Sequence, residues 1–155
     1  MTARAITERL LVHATAIAID GHALLLRGAA GSGKSDLALR LIDAGARLVA
    51  DDQSELCRRG DSIIVCAPAT IAGLFEVRGI GLFRLDALAE APVALIVDLV
   101  PPDAIERLPT RQTATILGVV LPLIAVTPFE ASVAAKLRLA LGAFTKPGLP
   151  AIMIE

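Results

Sequence analysis

The segment Gly28-Ala29-Ala30-Gly31-Ser32-Gly33-Lys34-Ser35 has the form G-x-x-x-x-G-K-[ST], which is typical of a phosphate-binding loop. An apolar run at residues 23–26 precedes it and a helix-forming run at 36–44 follows, so the order is strand, loop, helix. Small residues let backbone N–H groups turn toward phosphate oxygens, and the start of the helix adds positive charge. A chance Lys-Ser pair after a glycine turn would not bring this context. We therefore expect a bound nucleoside triphosphate, with Lys34 on its phosphates and Ser35 on Mg²⁺.

The segments around this loop predict more strands than helices. Gly45 is placed where a left-handed residue would end the first helix. The predicted elements are strands over residues 10–19, 23–27, 47–52 and 93–97, a hairpin turn at 58–61, a glycine-punctuated loop at 76–81, and helices over 34–44 and 130–141. This pattern indicates an α/β fold: one P-loop domain over residues 1–155, with a mixed, largely β core and few helices.

Composition narrows the class of protein. The chain has 155 residues, a net charge of −1, and four Phe with neither Trp nor Tyr, so it lacks the basic and aromatic surface of a nucleic-acid binder. No apolar run has the length of a membrane span, and the N-terminus does not resemble a signal peptide. Cys57 and Cys66 lack metal-ligand spacing and are expected to be buried thiols in a reducing compartment. We therefore predict a cytoplasmic protein that binds neither membrane nor nucleic acid.

Asp51 and Asp52 are the strongest candidates for catalytic acids. They end a predicted strand that returns from the first helix to the edge where the loop lies. One carboxylate near Mg²⁺ and one near an acceptor hydroxyl would suit a kinase, and adjacent residues at a strand end point to opposite faces. A helix cap or a solvated turn is the structural alternative. Asp98 also follows a buried strand and is a weaker candidate for the metal-binding acid.

Further motifs give the chain a family resemblance. Besides the loop and the segment at residues 47–52, they are His13, the acid-x-Arg-Gly-x-Gly segment at 76–81, the acid-Arg-Leu segment at 106–108, and the segments at 117–119 and 121–122. With these motifs the chain resembles the catalytic domain of HPr kinase/phosphorylase, and the similarity covers about residues 10–142. That enzyme phosphorylates a serine of the phosphocarrier HPr in the bacterial phosphotransferase system.

The resemblance implies an ATP- and Mg²⁺-dependent serine kinase with the HPr kinase and PEP carboxykinase-like fold. It implies that HPr is the partner, that residues 28–35 and Arg78 bind the nucleotide, that Ser35 and Glu76 bind Mg²⁺, and that Lys34 contacts phosphate. One of Asp51 and Asp52 would take the serine proton, His13 would lie beside that acid, and Arg107 would stabilise the transferring phosphoryl group. From the residues alone, His13 could equally be a packed core residue, Arg78 a loop-stabilising residue, and Arg107 a surface charge.

The chain departs from the family pattern at two places. Longer members have an N-terminal domain, so this chain resembles the short form found in alphaproteobacteria. A Pro-Gly-Arg-Asn-type loop that serves the reverse reaction is replaced here by Val-Thr-Pro-Phe-Glu at residues 126–130. The sequence therefore does not predict phosphorylase activity, and it leaves a homo-oligomer open. Two other functions also stay open: an NTP hydrolase or small-molecule kinase, and a nucleotide-sensing binding module.

Overall fold

The structure, a computed structural model, describes residues 8–145 and Ile154. Within these residues the chain forms eleven strands and two α-helices. The strands are β1 (Arg9–Val12), β2 (Ala14–Ile19), β3 (His22–Arg27), β4 (Arg47–Ala50), β5 (Ser54–Arg59), β6 (Ser62–Cys66), β7 (Leu74–Val77), β8 (Gly81–Arg84), β9 (Glu90–Leu99), β10 (Gln112–Ile116) and β11 (Val119–Val126). The helices are α1 (Lys34–Asp43) and α2 (Val133–Thr145).

Nine of these strands form one mixed sheet. The order is β1-β5-β6-β9-β3-β2-β4, and β11 joins the sheet by pairing with β9 while β10 pairs with β11. Strand β9 runs parallel to β3 and to β11, whereas the other pairs in the sheet are antiparallel. Strands β7 and β8 form a separate two-stranded hairpin. The predicted mixed, largely β fold with few helices is confirmed.

The direction of three neighbouring strands brings the loop and the two aspartates together. Strand β2 lies between β3 and β4 and is antiparallel to both, so β3 and β4 run in the same direction. Ala14 pairs with Arg27 at the end of β3, and Ala16 pairs with Ala50 at the end of β4. The start of β2 therefore lies at the same edge of the sheet as the ends of β3 and β4. We call this the phosphate edge.

Two apolar clusters pack on opposite faces of the sheet. Along β3 the side chains alternate: Leu24 and Leu26 pack with α1 and α2, and Leu25 packs on the opposite face with residues of strands and their connections. Leu37 on α1 and Leu137 on α2 are fully buried in the first cluster. Complete burial of such a side chain contributes about 1.5–3 kcal/mol. This packing fixes the start of α1 relative to the end of β3, which determines the shape of the loop between them.

Helix α1 ends as predicted. Gly45 has a φ of 109°, its N–H donates to the carbonyl of Ile42 at 2.9 Å, and the N–H of Ala46 donates to Leu41 at 3.0 Å. This pair of bonds is a Schellman motif, which needs a left-handed residue at that position. The longer helix, α2, has 13 residues. In the described ranges no helix has the length and apolar content to cross a membrane.

Three predicted elements differ in the structure. The strand predicted over residues 10–19 breaks at His13, because β1 pairs with β5 whereas β2 pairs with β3 and β4. The second helix begins at Val133 rather than Glu130, since a turn in which Glu130 N–H bonds to Thr127 precedes it. The strand predicted to end at residue 97 continues to Leu99, so that Asp98 lies within β9 and not after it.

The segment at residues 76–81 was also predicted wrongly, as a loop. Glu76 lies in β7, Gly81 lies in β8, and only residues 78–80 form the turn between them, with Gly79 at a φ of 85°. Pairing with β8 supplies the backbone hydrogen bonds that a loop at this place would lack. Glu76 is therefore held on a strand.

Candidate active site

The phosphate loop connects β3 to α1. Gly31 and Gly33 have φ values of 79° and 104°, which disfavour any residue with a Cβ, and Ser32 N–H donates to Ala29 at 3.0 Å to close a turn. Lys34 is almost fully buried, and its ammonium donates to the carbonyls of Gly28 (2.8 Å) and Ala29 (3.1 Å). The lysine charge thus lies inside the loop, at the N-terminus of α1.

Asp51 follows β4 and contacts the first turn of α1. Its Oδ1 accepts a hydrogen bond from the Ser35 hydroxyl at 2.9 Å, and its Oδ2 accepts one from the backbone N–H of Glu76 at 3.3 Å. Burial raises the pKa of the Asp51 carboxyl above its ordinary value, and the charges of Asp52 and Glu76 act in the same direction. The two hydrogen bonds oppose that pKa shift. Such a carboxylate is stabilised by a cation more than an exposed one would be.

Asp52 points toward different partners. Its φ of 65° is left-handed, and its backbone N–H donates to the hydroxyl of Thr15, a fully buried residue on β2, at 3.0 Å. Its Oδ1 lies 2.6 Å from Nε2 of His13, and both side chains remain about half exposed. Asp51 therefore faces the phosphate loop, while Asp52 faces solvent beside His13. The structure agrees with the expectation that adjacent acids at this strand end diverge.

These groups line one cavity of about 480 Å³. Most of the predicted site residues are among its lining: His13, Ala30, Gly31, Gly33, Lys34, Ser35, Asp51, Asp52, Glu76 and Arg78. Gly28, Ala29 and Ser32 belong to the loop but lie outside this lining. A Cβ on Gly28 would lie 2.4 Å from Ser32 Oγ, so the glycine permits the loop to close.

The two predicted arginines have different positions. Arg78 is exposed in the turn between β7 and β8 and lines the cavity with Glu76. Arg107 is exposed in the connection between β9 and β10 and does not line the cavity. The catalytic role predicted for Arg107 stays a prediction.

Asp98, the weaker candidate for the metal-binding acid, has a partner elsewhere. Arg27 donates to its two carboxylate oxygens, from Nε at 2.8 Å and from Nη2 at 3.1 Å. The two residues are opposite each other on the parallel strands β3 and β9. Asp98 lies outside the cavity lining, so its position supports a structural ion pair and favours Asp51 as the acid near the loop.

Sequence reasoning missed Thr15 and five residues of the cavity lining, which are Asp36, Leu39, Phe75, Val77 and Phe129. Thr15, which holds the backbone of Asp52, is the only hydroxyl residue in the apolar strand β2, and that isolation was the available signal. Leu39 and Phe129 also line the cavity although both are exposed. Phe129 lies far from the loop in sequence, and no local pattern marked it.

The donors in the cavity suit a magnesium nucleotide. Mg²⁺ prefers oxygen ligands and usually takes one or two carboxylates together with substrate phosphates and water. The Ser35 hydroxyl and the Asp51 carboxylate provide such oxygens, Glu76 lies next to them, and the Lys34 ammonium matches phosphate charge. Among the described residues no group of three or more His, Cys, Asp or Glu side chains could hold a metal alone. The donor set therefore fits a cation that arrives with phosphate.

Comparisons with known proteins identify the family of the chain. The family model described as "HPr Serine kinase C-terminal domain" matches residues 4–136. A protein named HPr kinase/phosphorylase from Limosilactobacillus reuteri is 36% identical over 133 residues, covering 78% of this chain and 42% of the relative. The protein of the same name from Exiguobacterium sibiricum is 46% identical over 78 residues, covering 50% of this chain and 25% of the relative. The chain thus spans less than half the length of these curated relatives.

A solved structure shares the fold. The Hpr(Ser) kinase/phosphatase from Coxiella burnetii superposes with a TM-score of 0.75 at 28% sequence identity. The match covers 84% of this chain and 92% of the solved chain. The architecture described above, mostly sheet with two helices, is therefore that of a solved relative.

Proposed function

The chain belongs to the HPr serine kinase C-terminal domain family, and we propose on this premise that it transfers the γ-phosphoryl group of ATP to a serine of HPr in the bacterial cytoplasm. The observation that carries the proposal is the pair of adjacent acids at the phosphate loop: Asp51 bonded to Ser35, and Asp52 directed away from it. Phosphoryl transfer to a hydroxyl needs one acid beside the metal and a second acid, away from the metal, that can accept the hydroxyl proton. HPr is proposed as the phosphoryl acceptor because the relatives are named as kinases of HPr.

Asp51 and Ser35 would hold Mg²⁺ in this proposal, with Glu76 beside them. In other P-loop enzymes the loop hydroxyl and an acid at a strand end share the metal in this way. When bound, Mg²⁺ supplies positive charge to the β- and γ-phosphate oxygens. Lys34, at the N-terminus of α1, supplies further positive charge from the protein.

Asp52 would be the base. The serine hydroxyl of the acceptor gives its proton to the Asp52 carboxylate while its oxygen forms a bond to the γ-phosphorus. The bond from that phosphorus to the β–γ bridging oxygen breaks, and ADP leaves. Thr15 and His13 hold Asp52 by its backbone and its carboxylate, so we assign them positioning roles. This assignment separates the roles of the two acids, which the sequence left open.

The reverse reaction is proposed to be weak or absent. Phosphorolysis would transfer the phosphoryl group from phosphoserine to inorganic phosphate and form pyrophosphate. The segment at residues 126–130, beside the phosphate loop, offers no Arg or Asn to bind a second phosphate. Incubation of phosphoserine-HPr with phosphate should therefore release little pyrophosphate.

The forward reaction is tested with labelled Mg-ATP and purified HPr, with phosphoserine on HPr located by mass spectrometry. Asp52→Asn should lower the transfer rate by about 10²–10⁴-fold and leave the Kd of Mg-ATP within about threefold. Asp51→Asn should weaken Mg-ATP binding itself. Asp98→Asn, the same chemical change outside the cavity, should do neither. Unchanged labelling by Asp52→Asn would refute the assigned base, and ATP loss without labelled HPr would favour a hydrolase.

A further inference from the structure

An aromatic ring lies exposed at the mouth of the cavity. Phe129 is 69% exposed and Leu39 is 39% exposed, and both line the cavity. The chain has four Phe and neither Trp nor Tyr, so aromatic surface is scarce. Two of the other rings, Phe75 and Phe144, are buried or half-buried. Phe83 is exposed on the β7–β8 hairpin but does not line the cavity.

The position of Phe129 is held by contacts with the loop and with α1. A Cβ on Gly33 would lie 2.9 Å from Cζ of Phe129 and 3.1 Å from Pro128, so the ring rests on the backbone of the phosphate loop. Arg40 donates to the carbonyl of Pro128, and its Nε donates to Asp36 at 3.1 Å. The ring is therefore held beside the first turn of α1 although its face is open to solvent.

Two parts of the cavity lining differ in chemistry. His13 pairs with Asp52 and Asp51 accepts a bond from Ser35, so these side chains line the part where the terminal phosphate would meet its acceptor. The loop backbone cradles the inner phosphates, so the nucleoside must leave the loop away from these acids. Asp36 and Leu39 on α1, together with Phe129 beside Gly33, form another part of the lining. Exposed apolar surface there suits a flat ring.

We propose that Phe129 is a nucleobase-binding residue, whose ring face stacks on the base of the bound nucleotide with Leu39 beside it. Base–aromatic stacking tolerates any base, so the site would favour nucleoside triphosphates over bare polyphosphate without strong selection among bases. The proposal rests on the nucleotide site of the proposed function but not on HPr as the acceptor.

The first test compares ligands with and without a base. The Kd values of Mg-ATP and of Mg-tripolyphosphate are measured by calorimetry for the wild type, Phe129→Ala and the control Phe83→Ala. Phe129→Ala should raise the Kd of Mg-ATP about 5- to 100-fold and leave the Kd of Mg-tripolyphosphate within about twofold of the wild-type value. Phe83→Ala should change neither Kd. Equal weakening of both ligands would show only a damaged loop and overturn the proposal. An unchanged Mg-ATP Kd combined with a raised KM for HPr would assign Phe129 to the acceptor protein instead.

A second variant makes the test independent of affinity. Because the chain has no Trp, Phe129→Trp introduces a single indole at the site and Phe83→Trp a single indole outside it. Mg-ATP should quench the fluorescence of the first variant and Mg-tripolyphosphate should not, while the second variant should respond to neither. If the fluorescence of the indole at position 129 does not change when Mg-ATP binds, the proposal is overturned. If the wild type binds Mg-ATP but does not label HPr, the proposed acceptor fails and Phe129 keeps its role.

Discussion

The Ser35 hydroxyl donates a 2.9 Å hydrogen bond to Oδ1 of Asp51, and this bond joins the first turn of α1 to the end of β4. The two strands that lead to it, β3 and β4, run in the same direction because β2 lies antiparallel between them. A hydroxyl and a carboxylate are thereby placed side by side next to the lysine of the phosphate loop.

The stability of Asp51→Asn relative to the wild type should rise with pH, and the change should weaken Mg-ATP binding. Because the folded-state pKa of Asp51 is raised above its ordinary value of 3.8, the wild type loses stability as pH rises from that value through the raised pKa. The asparagine avoids this loss. The free energy of unfolding of the variant, relative to that of the wild type, should therefore rise between the ordinary pKa and the raised one, above a constant loss that arises because the amide group cannot accept the N–H of Glu76 as Oδ2 does. Thermal unfolding without nucleotide, measured across this pH range, checks the prediction, and a difference in stability that is independent of pH would contradict it.

Thr15→Val should slow phosphoryl transfer without weakening the binding of the nucleotide. The change keeps the shape of a fully buried side chain but removes the acceptor for Asp52 N–H, so the free energy of unfolding should fall by about 1–3 kcal/mol. With its backbone released, Asp52 should spend less time in position for the serine proton. Single-turnover labelling of HPr and the Kd of Mg-ATP separate the two effects. Thr113→Val, on the exposed face of β10, is the control, and a loss of ATP affinity equal to the loss of rate would argue against a positioning role.

Asp98→Asn should destabilise the fold and leave nucleotide binding intact. It removes the charge from a partly buried pair with Arg27 that joins β3 to β9, and charge-assisted hydrogen bonds contribute about 1.5–3 kcal/mol each at most. Urea denaturation should show the loss, with an unchanged Mg²⁺ dependence of ATP binding. If the variant instead lost its Mg²⁺ dependence, Asp98 would be the metal-binding acid and the role given to Asp51 would be wrong.

Gly33→Ala should impair the phosphate loop more than Gly31→Ala does. Both positions have positive φ, which costs a residue with a Cβ on the order of 1 kcal/mol. Only at Gly33 would the new Cβ also meet Phe129 and Pro128, at 2.9 and 3.1 Å; around Gly31 the space is open. Mg-ATP affinity and the melting temperature should both follow this order. Phe129→Ala should recover part of the melting temperature in the Gly33→Ala background and none in the Gly31→Ala background.

Local patterns were sufficient for the elements that carry their own signals. The loop motif, the helix after it, and the Gly45 cap were all predicted from neighbouring residues, and each is present. The strand over residues 10–19 and the segment at residues 76–81 were predicted less well. The predicted first strand is interrupted at His13 because its two halves pair with different strands, and Glu76 belongs to β7 because that strand pairs with β8. Pairing partners are distant in sequence, so such boundaries depend on contacts that no local window contains.

The sequence by itself determined that a phosphate loop leads into a helix, that two acids follow the next strand, and which family the chain resembles, because short-range spacing and residue type carry that information. Only the tertiary structure decided which acid faces the loop, that Asp98 forms an ion pair with Arg27, and that Phe129 lies against Gly33. The physical reason is that these are relations between side chains on different elements. Strand order and direction set them, and both follow from the packing of the whole core.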